Sequence, residues 1–229
     1  MNTQAIILDT ETSSLNGLPI QIAYLPCSFE QGGFALDKSA LFDELFSVDH
    51  PIEYGAMAVH HIIEADLIGK PSYKTFKMPS DTVYVIGHKV DYDLEALKHC
   101  GIDIEQYKPI CTLALARMVF PDAPSHTIST LSYMLSSDQN KTRGYLKNAH
   151  NAKADILLTS FILKHIIHAL KIQSLEELYQ ASEKAIIPTF MSFGKYKGTA
   201  LVNLPSDYVR WLLNQDNLDK NLRKALMNR

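Results

Sequence analysis

The chain has 229 residues, 46% of them hydrophobic, and a formal net charge of −3; that is enough apolar content to bury one full domain plus at most a small appendage without disulfide staples. Its three cysteines, Cys27, Cys100 and Cys111, form no CxxC pair and sit in apolar or helical-looking surroundings, as free thiols of a reducing, cytoplasmic compartment do. No long charge-free apolar run and no basic signal-type segment is present, which argues against secretion and membrane insertion. The charge speaks against a nucleic-acid partner only until it is divided. Residues 184–229 carry eight Lys/Arg against three Asp, +5, which leaves 14 against 22, −8, for residues 1–183.

In chain order, Gln4 to Leu8 is a short apolar run ending in Asp9-Thr10-Glu11, and Ile20 to Leu25 alternates like a strand after the turn signals Asn16-Gly17 and Pro19, so a hairpin is expected. Gly32-Gly33 marks a second turn before another strand. Ala56 to Ile68 and Leu94 to His99 read as helices, with Thr82 to Ile86 a β-branched buried strand between them. Helical patterns follow over Thr112 to Phe120, Ile128 to Leu135, Ala152 to Leu170 and Ser174 to Ala185, the last with Ser174 and Glu177 at capping-box spacing. Strands first and strand-then-helix units after them predict an α/β fold, a mixed sheet flanked by helices. After Pro188 the texture turns aromatic, basic and glycine-punctuated, and two short helices are expected around Tyr208 to Asn214 and Lys220 to Met227. This places a domain over residues 1–185 and a small basic C-terminal module over 188–229, with Trp211 as a core anchor of the module.

Four acids and a histidine carry the candidate chemistry. Asp9 and Glu11, two apart on a strand, project from one face of a sheet and can share a metal, and hard oxygen pairs suit magnesium or manganese rather than zinc. Alone, Asp-x-Glu more often marks a solvated edge. Asp93, in His88-Lys89-Val90-Asp91-Tyr92-Asp93, follows a buried strand at the start of a helix, where a helix cap is the simpler meaning. His150 and Asp155 form an H-x4-D pattern opening the long apolar helix. An acid there needs a metal or a salt partner unless it stays on the surface.

Taken together, Asp-x-Glu after the first strand, an Asp after a later buried strand and H-x4-D opening a late helix resemble the histidine-bearing branch of the DEDD exonuclease superfamily, the ribonuclease-H-like fold of the proofreading epsilon subunit of DNA polymerase III. The likeness runs from about Ile6 to Leu170, roughly three quarters of the chain. Phe193-Gly194-Lys195-Tyr196-Lys197-Gly198 and Tyr208-Val209-Arg210-Trp211-Leu212 resemble the C-terminal extension of the exonuclease X type. In the family's middle motif, His-Asn-x-x-Phe-Asp, to which His88-Lys89-Val90-Asp91-Tyr92-Asp93 corresponds, Lys89 stands in place of the asparagine.

The resemblance implies a 3′→5′ exonuclease with two divalent cations, Mg2+ or Mn2+, held by Asp9, Glu11, Asp93 and Asp155, with Glu11 and His150 catalytic and His150 the general base. It implies substrate contacts from Thr10, Thr12, Leu15 and His60, since Val59-His60 with Ile62 and Glu64 is similar to the segment beneath the substrate's 3′ end. A turn leucine and a helix-surface or core histidine are the alternatives for Leu15 and His60, and His126 reads as structural. Lys195 and Lys197 beside Tyr196 have the ingredients of a nucleic-acid contact, or of a solvated turn. The expected partner is single-stranded DNA or a DNA 3′ end. An RNA-directed member and a catalytically weakened binding module are the alternatives.

Overall fold

The structure, a computed structural model, describes residues 4–31, 33–147, 150–191 and 193–229. Strands β1 (Ala5–Thr12) and β2 (Pro19–Glu30) pair antiparallel from Ala5 opposite Cys27 to Glu11 opposite Gln21. The expected hairpin therefore forms. Its turn is set by Gly17, where a Cβ would lie 2.5 Å from Ser14 Oγ and 2.7 Å from Ser14 N, leaving no room for any other residue. Strands β3 (Gly33–Leu36) and β4 (Phe42–Leu45) both pair along the far edge of β2. On the other side β5 (Tyr84–Gly87) runs parallel to β1, and β6 (Lys108–Cys111) parallel to β5, giving the order β3-β2-β1-β5-β6 with β4 beside β2.

β4 and β6 were not legible as strands. Each is four residues long, and β6 contains Pro109, which only an edge strand tolerates. The helix expected over Ala56 to Ile68 is broken. Helix α1 (Tyr54–His60) stops because His61 adopts a left-handed backbone, φ 61°, and a separate 3₁₀ turn covers Glu64–Leu67. The reversal seats Ile62 and Leu67 together in a small core with Ile20 and Ile52, which a continuous helix could not do.

Helix α2 (Val90–His99) covers one face of the sheet, where Val90, Leu94 and Leu97 meet Ile6, Leu8, Ile22 and Val85. Helices α3 (Thr112–Val119) and α4 (Ile128–Leu135) pack on α6 (Ala152–Leu170), which lies against β1 and β2. α5 (Gln139–Leu146), polar and interrupted by Gly144, was missed by the sequence reading; Asp138 caps it by accepting from the Lys141 N–H at 3.0 Å. Among the described residues no helix is long and apolar enough to cross a membrane.

The chain divides into two compact units, residues 1–182 and 183–229, the division falling inside α7 (Leu175–Ile186). The second unit has its own core of Met191, Leu201, Leu204, Val209, Leu212, Leu222, Ala225 and Leu226, built by α8 (Ser206–Leu213) and α9 (Lys220–Met227). Trp211 corrects the sequence reading: it lies outside that core, 53% exposed, stacked on Tyr208 with ring centroids 5.5 Å apart.

Candidate metal centre

Side-chain parity on β1 decides the site. Even-numbered Ile6 and Leu8 point into the core under α2. Odd-numbered Asp9 and Glu11 therefore point to the opposite face, the one α6 covers. There Asp155, in the first turns of α6, meets them, and Asp9, Glu11 and Asp155 each offer a carboxylate oxygen within 4.8 Å of the others.

Asp93 reaches the same pocket from the other layer. Its Oδ1 accepts two hydrogen bonds from Thr10, from the backbone N–H and from Oγ1, both 2.9 Å, so the even-facing Thr10 fixes the fourth acid over the end of β1. Gly87, the last residue of β5, makes the approach possible: a Cβ there would lie 3.1 Å from both Asp93 Oδ2 and Val90 Cβ. The first and middle motifs are tied a second time where the Tyr92 hydroxyl donates to Thr12 Oγ1 at 2.5 Å while Thr12 donates to the Ser14 carbonyl at 2.8 Å. Lys89 has a left-handed backbone, φ 78°, at the start of α2. Asparagine is among the few non-glycine residues that adopt this conformation readily, which accounts physically for the residue it replaces. The lysine side chain turns outward, its Nζ 5.9 Å from the Tyr92 ring centroid.

The N-terminus of α6 is held by a residue that the sequence reading passed over. Buried Gln21, opposite Glu11 in the sheet, accepts with Oε1 from the Ala152 N–H at 3.2 Å and from Asn151 Nδ2 at 3.3 Å. Its Nε2 donates to Asp43 at 2.8 Å, and Asp43 faces Lys153 Nζ at 3.7 Å. Asn151 makes no capping bond of its own, so strand β2 caps the helix through Gln21 and thereby sets where Asp155 and His150 stand. In the pattern Ile20-Gln21-Ile22 a glutamine is an unremarkable polar-face residue, and nothing local could have flagged it. His150 is exposed, with φ 62°.

The pocket is hostile to its own charges. Burial, then Asp155 and Asp93, push Glu11 up to about 8. Burial pushes Asp93 up to about 7 against the pull of its Thr10 hydrogen bonds, and Asp155 up to about 6 against the charge and backbone N–H of His150. Asp9 is raised well above the usual carboxylate range by burial and then by Asp93, Glu11 and Asp155. Like-charged carboxylates this close cannot all ionise unaided. A divalent cation removes the conflict, and an all-oxygen donor set is the one that hard cations prefer, so the residues present fit such an ion.

The remaining candidates divide between the first unit, where Thr10 and Thr12 adjoin the acids, and the second. Thr10 and Thr12 are buried, their hydroxyls engaged as described, while Leu15 is 81% exposed at the hairpin turn. His60 is buried at the end of α1, its Nδ1 accepting from the Ile62 N–H at 3.0 Å. His126 donates to the Phe120 carbonyl at 3.0 Å, and its own carbonyl lies 2.7 Å from His88 Nε2, bonds that pin the loop before α4. Lys195 and Lys197 are exposed in the second unit, where Lys195 Nζ stands 5.2 Å from the Tyr196 ring centroid.

A mixed sheet with antiparallel β1 and β2, parallel β5 and β6, and acids gathered from β1, α2 and α6 is a ribonuclease-H-like fold, and the chain is similar to 3′→5′ exonucleases of the DEDD superfamily, which use divalent metals. Over 228 residues it is 26% identical to exodeoxyribonuclease 10 of Escherichia coli K12, with 96% of each chain covered. Its fold matches that of exonuclease X in complex with 5′ overhanging duplex DNA, TM-score 0.55 at 21% identity over 78% of this chain and 99% of the other. It also matches E. coli exonuclease I in complex with a dA16 oligonucleotide, TM-score 0.60 at 15% identity over 94% of this chain and 60% of that one. Residues 180–226 match a family described as "Putative quorum-sensing-regulated virulence factor".

Proposed function

We propose that this chain removes nucleotides from the 3′ end of DNA, hydrolysing the terminal phosphodiester and releasing nucleoside 5′-monophosphates. The observation that carries the reading is the meeting of Asp9, Glu11 and Asp155 within 4.8 Å. A relative covering 96% of the chain is an exodeoxyribonuclease, and two fold neighbours are DNA complexes, which supports DNA as the substrate class.

Asp9, Glu11, Asp93 and Asp155 would hold two divalent cations, Mg2+ or Mn2+, which when bound would supply the positive charge that favours deprotonation of the attacking water and departure of the 3′ oxygen. The chain's own residues supply position and proton transfer. Thr10 keeps Asp93 aimed at the pocket, and Gln21 keeps the start of α6 against β2. His150 stands exposed ahead of α6, five residues before Asp155, and accepts the water proton on an imidazole nitrogen, the group best suited to proton transfer near neutrality. Leu15, exposed at the hairpin turn, supports the terminal base. Buried His60, with its neighbours Val59 and Ile62, shapes the floor below it.

Residues 1–185 form the exonuclease domain in this reading, and 188–229 a small basic module that binds strand without entering the chemistry. Tyr196 lies 4.6 Å from Tyr208, which stacks on exposed Trp211, so bases have an aromatic ladder flanked by Lys195 and Lys197. Arg223 is engaged within the module, its guanidinium donating to the Leu213 and Gln215 carbonyls at 2.6 and 2.7 Å. Three free thiols, two of them buried, suit a cytoplasmic setting.

The test is digestion of 5′-labelled single-stranded DNA with Mg2+ or Mn2+ and with EDTA. A ladder shrinking from the 3′ end with mononucleotide products is expected. Intact substrate under both metals, or internal cuts, would sink the reading.

A further inference from the structure

Beside the carboxylates, an open groove of about 1320 Å³ is lined by Lys38, Lys141, Lys147, Lys153 and Lys164, with His60 and His150 also on its wall. We propose that this groove is a second nucleic-acid subsite, which takes the phosphates and bases of a single strand beyond the nucleotide being removed. It rests on the reading of the carboxylate pocket as an exonuclease centre.

The charge is the first argument. Five lysines share the groove with one lining acid, Asp138, whose carboxylate already accepts from the Lys141 N–H, in a chain whose first 183 residues carry −8. Lys153 faces Asp43, whereas Lys38, Lys141, Lys147 and Lys164 are exposed and form no ion pair among the described residues. Four unpaired cations in one concavity repel one another, and a polyanion removes that cost.

The arrangement is the second argument. On α6, Lys153, Leu157, Phe161 and Lys164 are spaced i, i+4, i+8 and i+11, which places them on one helix face with two cations bracketing an apolar and aromatic middle. On α5, Lys141 and Tyr145 are four apart and also share a face, and Tyr145 is 53% exposed. Each wall therefore offers lysine for phosphate and an aromatic ring for a base, the combination that sequence-tolerant single-strand binders use. From Lys153 to Lys164 the helix rises about 16 Å, room for about five nucleotides of stacked strand. The wall residues His60 and His150 belong to the proposed catalytic site, so a strand leaving that site enters the groove.

Two substrates separate the subsite from the chemistry in the full-length protein: the p-nitrophenyl ester of thymidine 5′-monophosphate, too small to fill the groove, and oligothymidylate of about 20 nucleotides. Lys141→Gln with Lys164→Gln should raise KM for the long strand about tenfold and lower the salt slope of its binding by about 1.4, at ~0.7 per contact. Ester hydrolysis should stay at the wild-type rate, and Lys141→Arg with Lys164→Arg should restore strand binding. Unchanged affinity and salt slope in the Gln variant would overturn the subsite. So would displacement of an acidic peptide, polyglutamate, that depends on both lysines while strand binding does not. Strand binding measured in EDTA decides the groove even if the protein hydrolyses neither substrate, an outcome that would count against the exonuclease reading alone.

Discussion

The carboxylate pocket and the C-terminal unit place their polar groups in opposite settings. In the pocket, acids from β1, α2 and α6 are buried together, and burial raises the pKa of all four, while their positions depend on a buried threonine of β1, the glycine that ends β5 and a glutamine of β2. In the C-terminal unit, Lys195, Tyr196, Lys197, Tyr208 and Trp211 lie within a short stretch, partly or fully exposed, over a core of their own. Chemistry on a phosphodiester needs charges fixed in a low-dielectric cavity, so it accepts the cost of burying them. Binding a flexible strand needs surface and positive charge, and exposed side chains supply both without that cost.

The contrast can be broken most sharply at Asp9. Asp9→Asn should lower nuclease turnover by about 10⁴-fold, several kcal/mol of lost stabilisation at the reacting phosphate, while strand binding changes little; single-turnover digestion beside fluorescence anisotropy checks both. His150→Ala should lower turnover by about 10²–10⁴-fold with Mn2+ binding by calorimetry unaltered, since an exposed imidazole outside the acid cluster carries a proton and not an ion. A wild-type rate would remove it from the mechanism.

The pH dependence of the metal-free protein follows from the raised carboxyls. A group whose folded value lies above its unfolded one binds more protons when folded, so stability is full below about pH 4 and falls as pH climbs through about 6 to 8. In EDTA, melting temperature should drop across that window, and Mn2+ should flatten the drop. Glu11→Gln should raise metal-free stability at pH 8 by about 2 kcal/mol, less than its full shift because neighbouring groups relax. A melting curve indifferent to both pH and Mn2+ would contradict the crowded pocket.

Gln21→Leu should cost about 1–2 kcal/mol and reduce turnover about tenfold, because the first turn of α6 loses its cap and with it the placement of His150 and Asp155. Thermal melting and kcat at saturating substrate measure the two effects. The smallest effect is expected in the tail. Trp211→Ala should weaken single-strand binding about fivefold, near the lower end for one stacked base, with kcat at saturating substrate preserved. A fall in kcat instead of affinity would move the tail into the chemistry.

What the sequence made legible follows from how local each signal is. Asp9 and Glu11 could be read together because a strand has period two, and His150 with Asp155 because they open an apolar helix. The α/β class was readable for the same reason. Gln21, Tyr92 and Gly87 escaped because their work is done across 131, 80 and six positions, by hydrogen bonds and clearance that only the folded sheet creates. The long helix expected at Ala56 failed at His61, whose left-handed backbone serves a core contact and leaves no mark in a hydrophobic period. Trp211 was misread because leucine-rich helical spacing suggests burial, whereas the stacked neighbour that holds it at the surface, Tyr208, lies one turn away on the same helix.

The pairing of Glu11 with Gln21 carries one more consequence. A slip of β2 by a single position would turn Gln21 toward α2, unhook the start of α6 and draw His150 and Asp155 away from β1. The same bond that completes the site thus acts as a safety interlock. A molecule with a mispaired sheet would therefore lack the assembled carboxylate pocket altogether.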